Sequence, residues 1–384
     1  MSGSWDSWLA DRARVRQARG VQRHDPVRRM RFDLASNDYL GMAHNPQVTA
    51  AAVEAVRRYG CGAGASRVVT GTSELHHGLE QALSELTGRS EALSFATGYA
   101  ANLGVLNALA GPGTLLVLDA HAHASLHDGA RLAAHRTPTL FAHNDPAELE
   151  RILATRTQPR ALVAVESIYS VLGDRAPLTE LAAICARHDA LLIVDEAHAL
   201  GVSHPGGEVR AVGFHQAAHV LVTTSLSKAL GAQGGAVLFG GPNARSFREQ
   251  LVNAARSFIF DTALAPAAAA AARTVATMLC SDPSPLAHLA QRNRQILEAF
   301  GDLGCFEPGA GAIHSLRMPD AETAAHAMHV LGEAGIAVGC FRPPSVPDGF
   351  SRLRLTARAD LDPTELAQAL TLIRATLARQ GAFA

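Results

Sequence analysis

From about residue 90 the chain alternates between short apolar runs and stretches with helical spacing. EALSF (91–95), TLLVL (114–118), ALVAV (161–165), ALLIV (190–194), HVLVTT (219–224) and GAVLF (235–239) are the apolar runs. Each is shorter than a typical buried helix and rich in branched or aromatic side chains, so they read as strands buried on both faces. Amphipathic stretches such as PLTELAAICARHDA (177–190) lie between most of them. Buried strands alternating with helices predict an α/β architecture with a mostly parallel sheet, and ligands in such sheets sit beyond the carboxyl ends of the strands. The segment APAAAAAARTVATMLC (265–280) is a strong helix former, broken by the proline-bearing SDPSP (281–285). Beyond it IHSLRM (313–318), GIAVGCF (335–341) and SRLRLTA (351–357) read as strands with helical patterns around them. The expected organisation is an N-terminal helical segment at 1–40, a large domain at 41–272 and a smaller α+β C-terminal domain at 273–384. No internal repeat interrupts this pattern.

Composition narrows the function. The chain has 384 residues, a hydrophobic fraction of 48% and a charged fraction of 18%, as in folded globular proteins. The formal net charge is −1, which gives no basic excess for a nucleic-acid partner. Cys61, Cys185, Cys280, Cys305 and Cys340 are scattered and form no CxxC. That spacing fits a reducing, cytoplasmic setting and argues against a disulfide framework or a structural zinc site. No apolar run reaches the ~20 residues of a membrane helix. The arginine-rich WDSWLADRARVRQARG (5–20) has no apolar core of a secretory signal and is expected as a helix on the surface.

One lysine stands out. Of the 34 basic residues only Lys228 is a lysine, and it sits in TTSLSKALGAQGG (223–235). A guanidinium stays protonated, whereas a lysine amine can be depressed by burial and condense with an aldehyde. Lys228 follows a strand and precedes small residues that leave room for a flat cofactor, with Ser225 and Ser227 offering hydroxyls. At the end of LLIVDEAHALG (191–201), Asp195 could hold a pyridinium nitrogen protonated, with His198 three residues on. VDEAH also occurs in helicases, but the GxxxxGK[ST] phosphate loop such a motor needs is absent. His121, His123 and His127 in LDAHAHASLHDG (118–129) suggest a metal cluster, yet no cysteine nearby completes a set. A single histidine stacked on a planar ring is the more economical reading, and His123 is best placed. In FATGYAANLGVL (95–106) a Gly-Tyr pair opens a helix, where free N–H groups suit a phosphate. GCGAGASR (60–67) lacks the spacing and preceding strand of a dinucleotide loop.

Taken together, ASNDYLG (35–41), SFATGYAANLG (94–104), HAS (123–125), VDEAH (194–198), TSLSKALG (224–231) and RPPSVP (342–347) resemble the α-oxoamine synthases. The likeness runs from about residue 30 to the end. It implies the fold type I, aspartate aminotransferase-like architecture of pyridoxal 5'-phosphate-dependent transferases. Within the family the likeness is closest to members that join L-alanine to a pimeloyl thioester in biotin biosynthesis; CFRPPSVPDGFSRLRLTARA (340–359) carries most of that finer choice.

The resemblance implies roles. Lys228 would bond covalently to the cofactor aldehyde and later serve as the base. Asp195 would pair with the pyridine nitrogen, His198 with the phenolic oxygen, and Ser170 would lie near that edge. His123 would stack on the ring. The Gly98 and Tyr99 amides and the Ser225 hydroxyl would hold the phosphate, with Thr262 reaching it across the interface of a homodimer. Arg354 would anchor the amino-acid carboxylate and Ser345 would contact the acyl substrate. Arg23, with Arg19 and Arg28 as alternates, would be the N-terminal arginine that meets substrate. Three positions depart from the common pattern: Ser225 and Ser345 stand where threonine is frequent, and Ala199 where Gly or Ser follows the histidine. All keep the groups the chemistry needs. The acyl carrier is left open between coenzyme A and an acyl carrier protein. Other family reactions (glycine C-acetyltransferase, 5-aminolevulinate synthase, serine palmitoyltransferase) and a non-catalytic cofactor-binding sensor are the alternatives.

Overall fold

The structure is a computed structural model and describes residues 3–18, 30–134, 137–343, 345–346 and 348–380. Thirteen strands are described in chain order: β1 Phe32–Asp33, β2 Glu91–Phe95, β3 Thr114–Asp119, β4 Thr139–Phe141, β5 Arg160–Glu166, β6 Ala190–Asp195, β7 Val220–Ser225, β8 Gly235–Phe239, β9 Phe306–Glu307, β10 Ile313–Arg317, β11 Ile336–Ala337, β12 Gly339–Phe341 and β13 Arg352–Thr356. All six apolar runs of the large domain are strands. Of the strands in the same sheet, β4 escaped the pattern, because three residues with two exposed side chains carry no periodic signal.

Seven strands form one sheet in the order β2-β8-β7-β6-β5-β3-β4. All neighbours are parallel except those of β8, which runs antiparallel to both β2 and β7. The period of two along each strand divides the core between the faces. Val163, Val165, Leu192, Val194 and Val222 pack on one side with the helices Glu74–Thr87, Leu178–Arg187 and Pro266–Ser281. Leu162, Ala164, Ile193, Leu221 and Val237 pack on the other with the helices Gly98–Leu109 and Ala124–Ala134. Each such side chain, fully buried, contributes roughly 1.5–3 kcal/mol.

The second sheet, β12-β13-β10-β9, is antiparallel. The helix Pro266–Ser281 runs without a break through 272 and 273 and packs on the large domain; the chain turns at Asp282 and Pro283 before the helix Ser284–Phe300. At the other end of the chain the N-terminal helix covers Ser4–Ala18 with every residue exposed. Residues 32–40 are not helical: β1 pairs in parallel with β11, and Leu34 O accepts a 2.8 Å bond from Thr356 N. Phe32 and Leu34 are buried, so this segment is stapled to the C-terminal sheet.

The two parts meet where the parallel strands end. Ala310 N donates to Gly173 O (2.8 Å) and Ser315 Oγ to Val171 O (3.3 Å). At the same edge β8 begins, with Gly235 opposite both Phe95 and Ser225. A Cβ at Gly235 would stand 2.4 Å from Gly98 N and from Thr97 O. The bare α-carbon is what lets the first turn of the helix Gly98–Leu109 lie against the sheet. Gly235→Ala is therefore expected to cost about 1–3 kcal/mol by overpacking and to displace that turn. Thermal unfolding should show a lower midpoint, and the purified variant should retain less bound cofactor.

Candidate active site

The carboxyl ends of β2, β3, β5, β6 and β7 share one edge of the sheet, and each passes directly into a polar group. A narrow cavity of about 60 Å³ lies there, walled by Gly98, Asn102, His123, Asp195, Ser225 and Lys228 among others. A wider one of about 620 Å³ shares His123, His198 and Lys228 with it and reaches Ser170, Ser345 and Arg354. The lysine and the two histidines thus stand where the two cavities join, with the aspartate inside the narrow one.

Asn102 organises this edge. Its Nδ2 group donates to Asp195 Oδ2 (2.7 Å) and to Ser125 Oγ (2.8 Å), using both protons. With Oγ accepting from Asn102, the Ser125 hydroxyl donates to His123 Nδ1 (2.7 Å), which also accepts from Ser125 N (3.2 Å). The ring proton of His123 therefore sits on Nε2. The other Asp195 oxygen, Oδ1, accepts from Ala197 N (2.9 Å). His198 Nδ1 lies 2.6 Å from the Tyr39 hydroxyl. The Tyr39 hydroxyl donates to Asn37 Oδ1 (3.1 Å), which accepts from Arg354 as well (3.1 Å).

Burial sets the protonation. It lowers the Lys228 amine, the Asp195 and Glu166 carboxyls pull it back up, and Arg354 lowers it further; the net shift is downward, toward a nucleophilic free amine. Burial, helped by Lys228 and Arg354, drives His198 well below its usual value. His123 is lowered by burial, with Asp195 opposing and Lys228 assisting. Both imidazoles are neutral near pH 7. Glu166 moves the other way: burial and the neighbouring Asp195 push it well above the carboxylate range, against the pull of Lys228. Its Oε2 accepts only Ser170 N (3.2 Å).

Arg354, on β13, reaches into the wider cavity. It donates to Ser170 O (2.7 Å) and Asn37 Oδ1 (3.1 Å) and lies over the Phe341 ring at 4.6 Å. Behind the opposite wall, His143 is tied at both nitrogens, to Asp119 (2.9 Å) and Asp174 (2.7 Å). Burial lowers it, but the two carboxylates dominate and push it up to about 9. His121 stacks on it with ring centroids 3.8 Å apart. Among the described residues no three His, Cys, Asp or Glu are arranged to hold a metal.

The structure thus brings Gly98, Tyr99, His123, Asp195, His198, Ser225 and Lys228 to the narrow cavity, and Ser170, Ser345 and Arg354 to the wider one. Thr262 is exposed and walls neither. Arg19, Arg23 and Arg28 lie outside the described residues. Sequence reasoning gave no role to Asn37, Tyr39, Asn102, Ser125 or Glu166. Four of them stand inside motifs quoted for the resemblance. Their pairing joins positions up to 317 apart, as in Asn37–Arg354, which spacing alone does not reveal.

The residues fit a phosphorylated pyridine aldehyde. Thr97 caps the helix Gly98–Leu109 by accepting from Ala100 N, leaving the Gly98 and Tyr99 amides without an acceptor among the described residues. Such a helix start favours an anion. A fixed carboxylate, an amine and a neutral imidazole surround the narrow cavity, and the buried Asn102 Oδ1 and Glu166 Oε1 atoms lack partners.

The family model for class I and II aminotransferases matches residues 29–373. The chain belongs to that family, in its α-oxoamine synthase branch. Pyridoxal phosphate is its cofactor, and it is a transferase. The 8-amino-7-oxononanoate synthase of Mycolicibacterium smegmatis is 47% identical over 381 residues, covering 97% of each chain. That of Mycobacterium marinum is 46% identical over 94% of this chain and 92% of its own. Among solved structures, the serine palmitoyltransferase of Sphingomonas wittichii superposes with a TM-score of 0.88 at 31% identity over all of both chains.

For this family member, Asn102→Ala should lower cofactor affinity about ten- to a hundredfold, since it removes two bonds and leaves a buried carboxylate short of one. A cofactor titration followed by absorbance measures it. The His143 pair gives a pH dependence. Its folded value of about 9 lies above the unfolded value of about 6.5, so its stabilisation is complete below about 6.5 and is lost as pH rises through 9. His143→Gln should flatten the fall in stability across that window, by on the order of 1–3 kcal/mol, in denaturant melts at a series of pH values.

Proposed function

We propose that the enzyme condenses L-alanine with a pimeloyl thioester, giving 8-amino-7-oxononanoate, carbon dioxide and a free thiol. The observation that carries this reading is 47% identity over 97% of both chains with a synthase of that name. The site supports it: the amine of Lys228 and the guanidinium of Arg354 line one cavity of about 620 Å³.

Pyridoxal phosphate, when bound, supplies an electron-withdrawing ring that makes the α-proton and the carboxylate of the amino acid labile. The protein does the rest. Asp195, fixed by Asn102 and Ala197 N, would keep the pyridine nitrogen protonated. His123 would cover the ring face, and His198 would lie at the phenolic oxygen. The Gly98 and Tyr99 amides and Ser225 would hold the phosphate. Arg354 anchors the alanine carboxylate, which orients the α-C–H bond toward Lys228. Lys228 Nζ, kept partly unprotonated by burial, takes the α-proton. The α-carbon then bonds to the thioester carbonyl as the C–S bond breaks and the thiol leaves. Loss of the carboxylate as carbon dioxide and return of a proton to the same carbon complete the product. Ser345, on the loop over the cavity, would contact the acyl chain, and the unassigned Arg23 would meet substrate from the N-terminal side.

A second copy of the chain completes this reading. Thr262 is exposed beside Phe260 (70% exposed), and Ala263 N donates to Ala65 O, which brings that stretch next to the exposed Val68 and Val69. An apolar surface of this kind suits a homodimer in which Thr262 reaches the partner's phosphate. The carrier of the acyl group is coenzyme A or an acyl carrier protein, and five free cysteines suit the cytoplasm. The likeness to serine palmitoyltransferase favours a long-chain acyl donor as the alternative, but its identity of 31% is the lower.

The test is direct. The purified enzyme should be yellow, its absorbance should shift with L-alanine more than with glycine or serine, and borohydride should fix cofactor mass at position 228. Lys228→Ala should lose that mass and about 10²–10⁴-fold of turnover. A clear preference for glycine or serine, or for palmitoyl over pimeloyl thioester, would overturn the assignment.

A further inference from the structure

His121 does not belong to the cofactor site, yet its ring forms part of the wall of the wider cavity. Three features fix it there. Its own backbone N–H donates to Asp119 Oδ1 (2.7 Å). Its ring lies flat on His143, 3.8 Å away and tilted by 15°. His143 cannot turn, because both its nitrogens are held by carboxylates and Tyr169 abuts it edge-on at 4.4 Å. So firm a mount for a side chain with no partner of its own calls for a reason. Nδ1 of His121 is buried with no hydrogen bond among the described residues.

The ring is neutral near pH 7. Burial lowers it, the charged His143 beneath lowers it further, and Asp119, Asp174 and Asp348 only partly offset this. A neutral imidazole keeps one N–H donor and one acceptor, and a cation stacked below makes the N–H the stronger donor. Of the neighbouring polar groups, His127 has the Ala122 carbonyl, and the proposed reaction assigns Arg354 to the alanine carboxylate.

Position gives the ligand. His123 would stand at the reacting centre, and only Ala122 separates it from His121, so the two α-carbons lie at most about 7 Å apart. That is the scale of the methylene chain between the two ends of a pimeloyl group. We infer that His121 is a specificity-determining residue that donates a hydrogen bond to the distal carboxylate of the acyl donor. This rests on the proposed alanine–pimeloyl reaction. A site built to hydrogen-bond a polar group rejects the analogue that lacks it far more strongly than an apolar pocket does.

The experiment compares pimeloyl-CoA with heptanoyl-CoA, which carries a methyl group in place of the carboxylate, at saturating L-alanine. The holoenzyme is used as wild type, His121→Leu and His121→Gln. Wild type should prefer pimeloyl-CoA. His121→Leu should lose about tenfold or more in kcat/KM for pimeloyl-CoA, through KM, and change about twofold or less for heptanoyl-CoA. His121→Gln, which keeps a donor, should restore part of the preference, and it carries the test should the leucine variant fail to fold. Calorimetry with free pimelate should show binding to wild type that His121→Leu weakens by the same factor. Equal losses for both donors, or an unchanged preference, would overturn the role of His121 and leave the proposed reaction standing. A wild type that ignores the pimeloyl thioester of coenzyme A and of an acyl carrier protein alike would overturn both, before any variant is made.

Discussion

An amine and two carboxyl groups share one buried pocket, and the rest of the site is arranged around that fact. Asp195 and Glu166 end adjacent strands and are buried, and Lys228, three residues past the end of the next strand, is partly exposed. Charges in such a place are costly unless matched. The protein meets the cost in two ways. Asp195 receives two N–H donors, from Asn102 and Ala197. Glu166, with one donor and an unpartnered oxygen, has its carboxyl pushed well upward. The amine is left depressed, which is the condition for it to act as nucleophile and base.

The fold makes this pocket a consequence of its topology. In a parallel sheet every crossover brings the next strand back in the same direction. The carboxyl ends of β3, β5, β6 and β7 therefore fall on one edge, and so do the loops bearing His123, Ser170, Asp195 and Lys228. The exception, β8, contributes its first residue there, and that residue is the glycine the neighbouring helix start requires. The second sheet then closes the mouth with Arg354. Strand β13 places that guanidinium opposite Ser315 and Gly339 in register, and the small glycine leaves room for its stack on Phe341.

The histidines show how one residue type serves distinct ends. His143 is a charged structural bridge between two carboxylates. His123 and His198 are neutral, and the Ser125 hydroxyl holds His123 in one tautomer. His121 borrows its rigidity from His143 and offers its ring to the cavity. Their composition is the same, and burial and partners separate them.

Several things were settled by the chain before it folded. The six apolar runs specified the central sheet, because a strand buried on both faces has little choice but to be apolar throughout. The lone lysine singled itself out in a composition built on arginine, and the fold sets it where the two cavities join. Short-range motifs named Asp195, His198, His123 and Gly98. The linkages between them became visible only in three dimensions. Asn102 reaches Asp195, Tyr39 reaches His198, and Glu166 lies beside Lys228 through contacts between residues far apart in sequence. The stapling of Phe32–Asp33 to β11 was equally hidden, since a two-residue strand has no periodicity. Local pattern reports what each segment must bury; only packing decides which buried group meets which, and hence where each proton resides.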